Sequence, residues 1–145
     1  MKIREARISD LNNIKLLMKK NEELKNSADA KYFNKKYLTS MIKDKYTYLI
    51  VAENNSIEGL LGAAIWKNEG VSYLDFIFVN KHSRRLGIGK KLYEEYLEYL
   101  KKLNINYFWT LVSKEDYKLQ KFAEKLKMKK DELYYFYDRK LKWLK

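Results

Sequence analysis

The 145-residue chain has no cysteine and no proline, one histidine and five glycines. Without cysteine there can be no disulfide, thiolate metal site or cysteine nucleophile. With His82 as the single histidine, a histidine-built metal centre is excluded as well, and no metal is expected. No run of about 18 uncharged apolar residues exists from which a transmembrane helix could be drawn. The first residues, Met1 to Arg7, carry a charge every second or third position and lack the apolar stretch of a signal peptide. A cytoplasmic location is the expectation. Arginine is also scarce: Arg4, Arg7, Arg84, Arg85 and Arg139 are the whole set, so lysine makes up most of the formal charge of +12. A diffuse lysine coat reads as surface chemistry more readily than as a nucleic-acid site. At 46% hydrophobic and 34% charged, the chain is too apolar for disorder.

With no repeat, low-complexity tract or linker, one domain over 1–145 is expected. Ile3 to Arg7 alternates like a short strand. Ser9-Asp10 can cap a helix whose apolar positions are Leu11, Ile14, Leu17 and Met18. Phe33, Tyr37, Leu38, Met41 and Ile42 suggest a second helix. Tyr46 to Ala52 and Glu58 to Trp66 read as a hairpin around Asn54-Asn55, and Val71 to Val79 follows the turn at Asn68-Glu69-Gly70. A helix opens near Gly89 with Leu92, Tyr93, Tyr96, Leu97, Leu100 and Leu103 on its apolar face. Tyr107 to Val112 is a strand and Lys118 to Leu126 a helix. Leu133 to Tyr137 is a closing strand, which Lys140 to Lys145 extends or pairs with. The pattern predicts an α/β fold, a mixed sheet flanked by helices, with strands 71–79 and 107–112 parallel.

The sharpest local feature is Arg84-x-x-Gly87-x-Gly89-Lys90 between a strand and a helix. Glycine lets the backbone approach a ligand closely, and the helix start adds N–H donors and a positive dipole end. Arg84, Arg85, Lys90 and Lys91 add charge, so a diphosphate is the natural guest. The segment lacks the Gly-Lys-Ser/Thr ending of a Walker A loop, and Leu92 stands where a dinucleotide fingerprint needs a small residue.

The arrangement Arg-x-x-Gly-x-Gly at this place resembles the acetyl-CoA signature of the GNAT superfamily of N-acetyltransferases. Ile3 to Asp10 is similar to that family's opening strand and helix, Tyr73 to Val79 to its fourth strand, and Glu124 to Met128 to its closing segment. Tyr73 to Gly89 is locally most similar to the diamine acetyltransferases. The resemblance implies acetyl-CoA as co-substrate and a splayed parallel strand pair that admits pantetheine. Backbone groups of Arg84, Arg85, Gly87, Ile88, Gly89 and Lys90 would hold the pyrophosphate. Main chain at Phe78 and Val79 would pair with the pantetheine amides. Asp75 would receive the amine proton or anchor the ammonium. The family's usual tyrosine position is Ala123 in this chain, which leaves Tyr117 as the candidate acid for the departing thiolate.

Two other classes stand beside an enzyme that acetylates a primary amine: a basic, tyrosine-rich nucleic-acid-binding module, and an acyl-CoA-binding protein without efficient catalysis. No nucleic-acid motif supports the first. The acceptor, a small-molecule or peptide amine, is not readable, and a homodimer stays open. Trp66 and Trp109 read as core or cleft wall, Trp143 as a terminal packing anchor, His82 as solvated, and Met18 and Met41 as core filling.

Overall fold

The computed structural model describes residues 1–20 and 34–132 and positions 135 and 137. The expected strand over Leu133 to Tyr137 and its extension over Lys140 to Lys145 fall largely outside the described residues, as do Phe33 and Trp143. Two compact units divide the chain, Met1–Leu111 and Val112–Lys145.

The first unit is an α/β structure built on a mixed five-stranded sheet, with strands β1 (Lys2–Glu5), β2 (Thr47–Asn54), β3 (Ser56–Trp66), β4 (Val71–Val79) and β5 (Tyr107–Trp109) in that spatial order. Neighbours from β1 to β4 are antiparallel, and β4–β5 is parallel, as the strand–helix–strand spacing requires. Helices α1 (Leu11–Lys19), α2 (Lys35–Lys43) and α3 (Ile88–Lys102) complete the unit. The turns fall where asparagine and glycine tolerate positive φ, at Asn55 (62°) and Gly70 (71°).

Each face of the sheet buries its own layer. On one, Leu11, Ile14 and Leu17 of α1 and Leu38 and Met41 of α2 pack with Leu49, Val51, Leu60 and Phe78. On the other lies α3, whose Tyr96 meets the Ser72 hydroxyl at 2.7 Å and whose Tyr99 stacks on Tyr48 at 3.8 Å. Leu97, placed on the buried side of α3 by spacing, is instead exposed.

Three local expectations are corrected. Ser9-Asp10 does not cap α1 through a side chain; the buried Asp10 carboxylate accepts the Arg7 N–H at 2.7 Å and the Arg4 guanidinium at 2.7 Å. Arg4 also reaches Glu53 at 2.9 Å, tying the first turn to the β1–β2 ladder. Its double pairing draws the Asp10 carboxyl below the ordinary carboxylate range. Second, β5 ends at Trp109, not Val112, because its pairing with β4 ends there. Third, the helix after the loop opens at Ile88.

In the second unit, α4 (Tyr117–Lys125) is capped by Asp116, whose carboxylate accepts the Leu119 N–H at 2.9 Å. It closes with the Met128 N–H on the Ala123 carbonyl at 3.1 Å and Lys127 at φ 61°.

Candidate active site

The sheet contains two register shifts, and each ejects a carboxylate. Ala52 faces Gly59 while Glu53 faces Ile57, so Glu58 is an extra residue in β3. Gly62 faces Phe76 while Ala63 faces Leu74, so Asp75 is an extra residue in β4. A bulge of this kind re-aims side chains and reverses the alternation beyond it. Before Asp75, Ser72 faces α3; after it, Phe76 and Phe78 face α1 and α2. Room for the reversal comes from Gly62, where a Cβ would collide with the Phe76 ring and stand 2.9 Å from the Met41 methyl.

Glu58 organises the loop that follows β4. Its carboxylate accepts from the Ser83 hydroxyl at 2.5 Å, the Asn80 amide at 2.9 Å and the Ser56 hydroxyl at 2.5 Å. The Ser56 and Ser83 hydroxyls foremost hold this carboxyl below its ordinary range. The main chain adds a second tie, from the Asn80 N–H to the Glu58 carbonyl at 2.8 Å. Arg84 then folds back, its Nε donating to the Val79 carbonyl at 3.1 Å. With its start anchored, the loop turns through Arg85 (φ 64°) and Gly87 (φ 78°) into α3. No heavy atom lies within 4 Å of where a Gly87 Cβ would stand. Helix α3 begins with no side-chain cap and no acidic residue in its first turn. A helix start without a side-chain cap or an acid, in a segment that carries Arg84, Arg85 and Lys90, suits a diphosphate. His82 is exposed at the loop's edge.

Beside this loop, β4 pairs with β5 only from Val71↔Tyr107 to Tyr73↔Trp109. From Leu74 to Val79 that edge of β4 has no strand partner among the described residues, and an extended ligand could line it with main-chain bonds. The Phe78 side chain belongs to the core, which leaves its main chain for such a contact.

Asp75 projects toward α2, where the Tyr37 hydroxyl donates to its Oδ2 at 2.5 Å. Its other oxygen has no partner among the described residues. A carboxylate so placed can accept a proton or hold an ammonium. The loop residues Arg84 to Lys90 and the strand residues Asp75, Phe78 and Val79 are thus neighbours in one unit. Tyr117 stands in the other unit, 69% exposed as the first residue of α4. Four tyrosines of the first unit are poor acids: burial raises Tyr48, Tyr93 and Tyr99, and Tyr96 is pushed up to about 12.

Asn80 and Ser83 escape a reading of the sequence because nothing local to them signals the bulge at Glu58 that joins them. Tyr37 escapes because its spacing marks it only as an apolar helix position. The signals available were the glycines at positions 59 and 62 inside a strand, a common mark of a bulge or a close approach.

A sequence model of the acetyltransferase (GNAT) family matches residues 11–128. No curated protein sequence matches the chain. Among solved structures, an aminoglycoside acetyltransferase from an uncultured soil metagenomic sample, in complex with sisomicin, is similar with a TM-score of 0.79 and 21% identity, covering 97% of this chain and 96% of that one. The aminoglycoside 6'-N-acetyltransferase of Acinetobacter haemolyticus gives 0.78 and 17%, covering 98% and 100%. The PaiA N-acetyltransferase of Thermoplasma acidophilum, in complex with coenzyme A, gives 0.77 and 18%, covering 86% and 87%. These likenesses agree with the fold, and the family match spans β2 to β5, the loop after β4 and α4. The chain belongs to the acetyltransferase (GNAT) family and is an acetyl-transferring enzyme.

Proposed function

We propose that the chain acts as one domain over 1–145 that moves the acetyl group of acetyl-CoA to a primary amine in the cytoplasm. The observation that carries this reading is the start of α3, which has no side-chain cap, beside the stretch of β4 that has no strand partner among the described residues. Backbone N–H groups of Arg85, Gly87, Ile88, Gly89 and Lys90 bind the pyrophosphate, and main chain at Phe78 and Val79 aligns the pantetheine arm. When bound, acetyl-CoA supplies a thioester carbonyl carbon as the electrophile. Asp75 accepts a proton from the ammonium or anchors it, and the freed amine forms the new C–N bond as the C–S bond breaks. Tyr117 is the candidate donor to the departing thiolate. A thiol of ordinary pKa, about 8.5, also departs unaided, so Tyr117→Phe with most of its rate intact would remove that residue from the mechanism.

Gly89→Glu puts a carboxylate into the first turn of α3, where the diphosphate must sit. Calorimetric titration of the folded variant should show acetyl-CoA affinity reduced by at least about a hundredfold, the cost of an unpaired like charge at an anion site. Unchanged affinity would sink the loop assignment. A panel of primary amines, followed by CoA release, tests the reaction itself.

A further inference from the structure

On the α1/α2 face, β3, β4 and β5 end together in a wall of aromatic rings. Trp66 and Trp109 are nearly parallel, with centroids 5.8 Å apart and 5° between planes. Tyr73 lies 5.6 Å from Trp109, and Tyr107 lies 6.0 Å from it on the other side. The register explains the grouping. Ala64 faces Tyr73 and Tyr73 faces Trp109, so Trp66, Tyr73, Tyr107 and Trp109 follow the same alternation. Phe108, the intervening residue, turns the other way and meets Tyr93 and Tyr96 of α3.

The wall is not a finished core. Trp66 is 37% exposed, Trp109 36% and Tyr107 58%, a cluster of indole and phenol faces where isolated apolar side chains would be unremarkable. It is continuous with the Asp75 carboxylate. Tyr73 and Asp75 are two residues apart on one face of β4, roughly 7 Å at strand spacing, a distance that a ring carrying a short alkyl arm covers.

We infer that this wall is the acceptor subsite, and that the acceptor is a primary monoamine bearing a flat aromatic ring, which stacks beside Trp109 while its ammonium meets Asp75. The inference rests on the reading of Asp75 given above. Charge favours a monocation. Asp75 offers one carboxylate, and a chain of net charge +12 repels a polycation. Ring stacking adds what a plain alkyl chain lacks, because aromatic pairs gain more than their buried area alone.

The test compares 2-phenylethylamine with hexylamine, spermidine and sisomicin on the full chain, reading CoA release and tryptophan fluorescence. 2-Phenylethylamine should give kcat/KM about tenfold above hexylamine, most of it in KM, as expected for one stacked ring. Trp109→Leu should erase that ratio while calorimetric affinity for acetyl-CoA stays unchanged. Trp66→Leu, on the neighbouring strand, provides an independent check should Trp109→Leu fold poorly. Equal rates for the ring and chain amines, or a preference for spermidine or sisomicin, overturn the inference while leaving the acetyltransferase reading intact. Saturable fluorescence quenching by 2-phenylethylamine, lost in Trp109→Leu but without CoA release, would keep a ring-binding site and overturn its assignment to the acceptor. Absence of saturable quenching together with CoA release from other amines would remove the subsite alone.

Discussion

At Glu58 and at Asp75 the sheet uses one device, an extra residue in a strand, to aim a carboxylate out of the ladder. What each then meets is different. Three neutral donors, Ser56, Asn80 and Ser83, converge on the Glu58 carboxylate, and it ties the loop after β4 to β3. Asp75 accepts from Tyr37 alone among the described residues and keeps one oxygen open. A carboxylate saturated by hydrogen bonds is a structural fastener; one held by a single donor keeps the capacity to exchange a proton. The same bulge geometry therefore gives a saturated carboxylate in one strand and a singly held one in the next.

The comparison breaks most visibly at Asp75. Asp75→Asn keeps the shape and the Tyr37 contact but removes the charge. The rate at saturating acetyl-CoA should fall about 10²-fold, the low end for a general base, with cofactor affinity nearly unchanged. Near-normal turnover would mean that solvent deprotonates the amine and that the enzyme works by positioning.

Glu58→Ala should show the converse pattern. Losing hydrogen bonds worth about 1 kcal/mol each frees Asn80 and Ser83, so acetyl-CoA affinity should weaken about tenfold while kcat is largely kept. Steady-state kinetics with varied acetyl-CoA separates the two, and a kcat loss matching that of Asp75→Asn would erase the distinction between the bulges.

Gly62→Ala probes the space that lets β4 reverse. Its methyl would collide with the Phe76 ring, and overpacking of this kind costs roughly 1–3 kcal/mol, readable as a lowered midpoint in denaturant melts. An unchanged midpoint would show that Phe76 and Met41 yield easily.

The smallest effect is in pH. The Glu58 carboxyl is held below its ordinary range in the folded chain, as are those of Asp10 and Glu53 beside Arg4. A depressed folded value means that the stabilisation is fully present above the unfolded carboxylate range, about 4, and is lost as pH falls through the lower folded values. Melting temperature should therefore decline below about pH 4, and Glu58→Ala should decline less steeply than the parent chain.

The strand-to-helix loop was legible because its chemistry is local. Gly87 at positive φ, the basic residues and the opening of α3 at Ile88 lie within a few positions of one another. Helix periodicity likewise placed α1, α2 and α3, and alternation with turn residues placed β2, β3 and β4 to within a few positions. Asp75 was a candidate through the family resemblance, but its partner was not: Tyr37 comes 38 residues earlier, and only the packing of α2 on the sheet joins them. Glu58 had only the adjacent Gly59 as a local signal, since a bulge depends on the register of two strands, and register is settled by which face each strand buries. The sequence alone determined that backbone freedom, positive charge and a helix start fall together after β4, because all three are held close along the chain. Only the tertiary structure decided which carboxylate would be saturated and which left open, because that depends on donors brought from distant segments by the sheet's register.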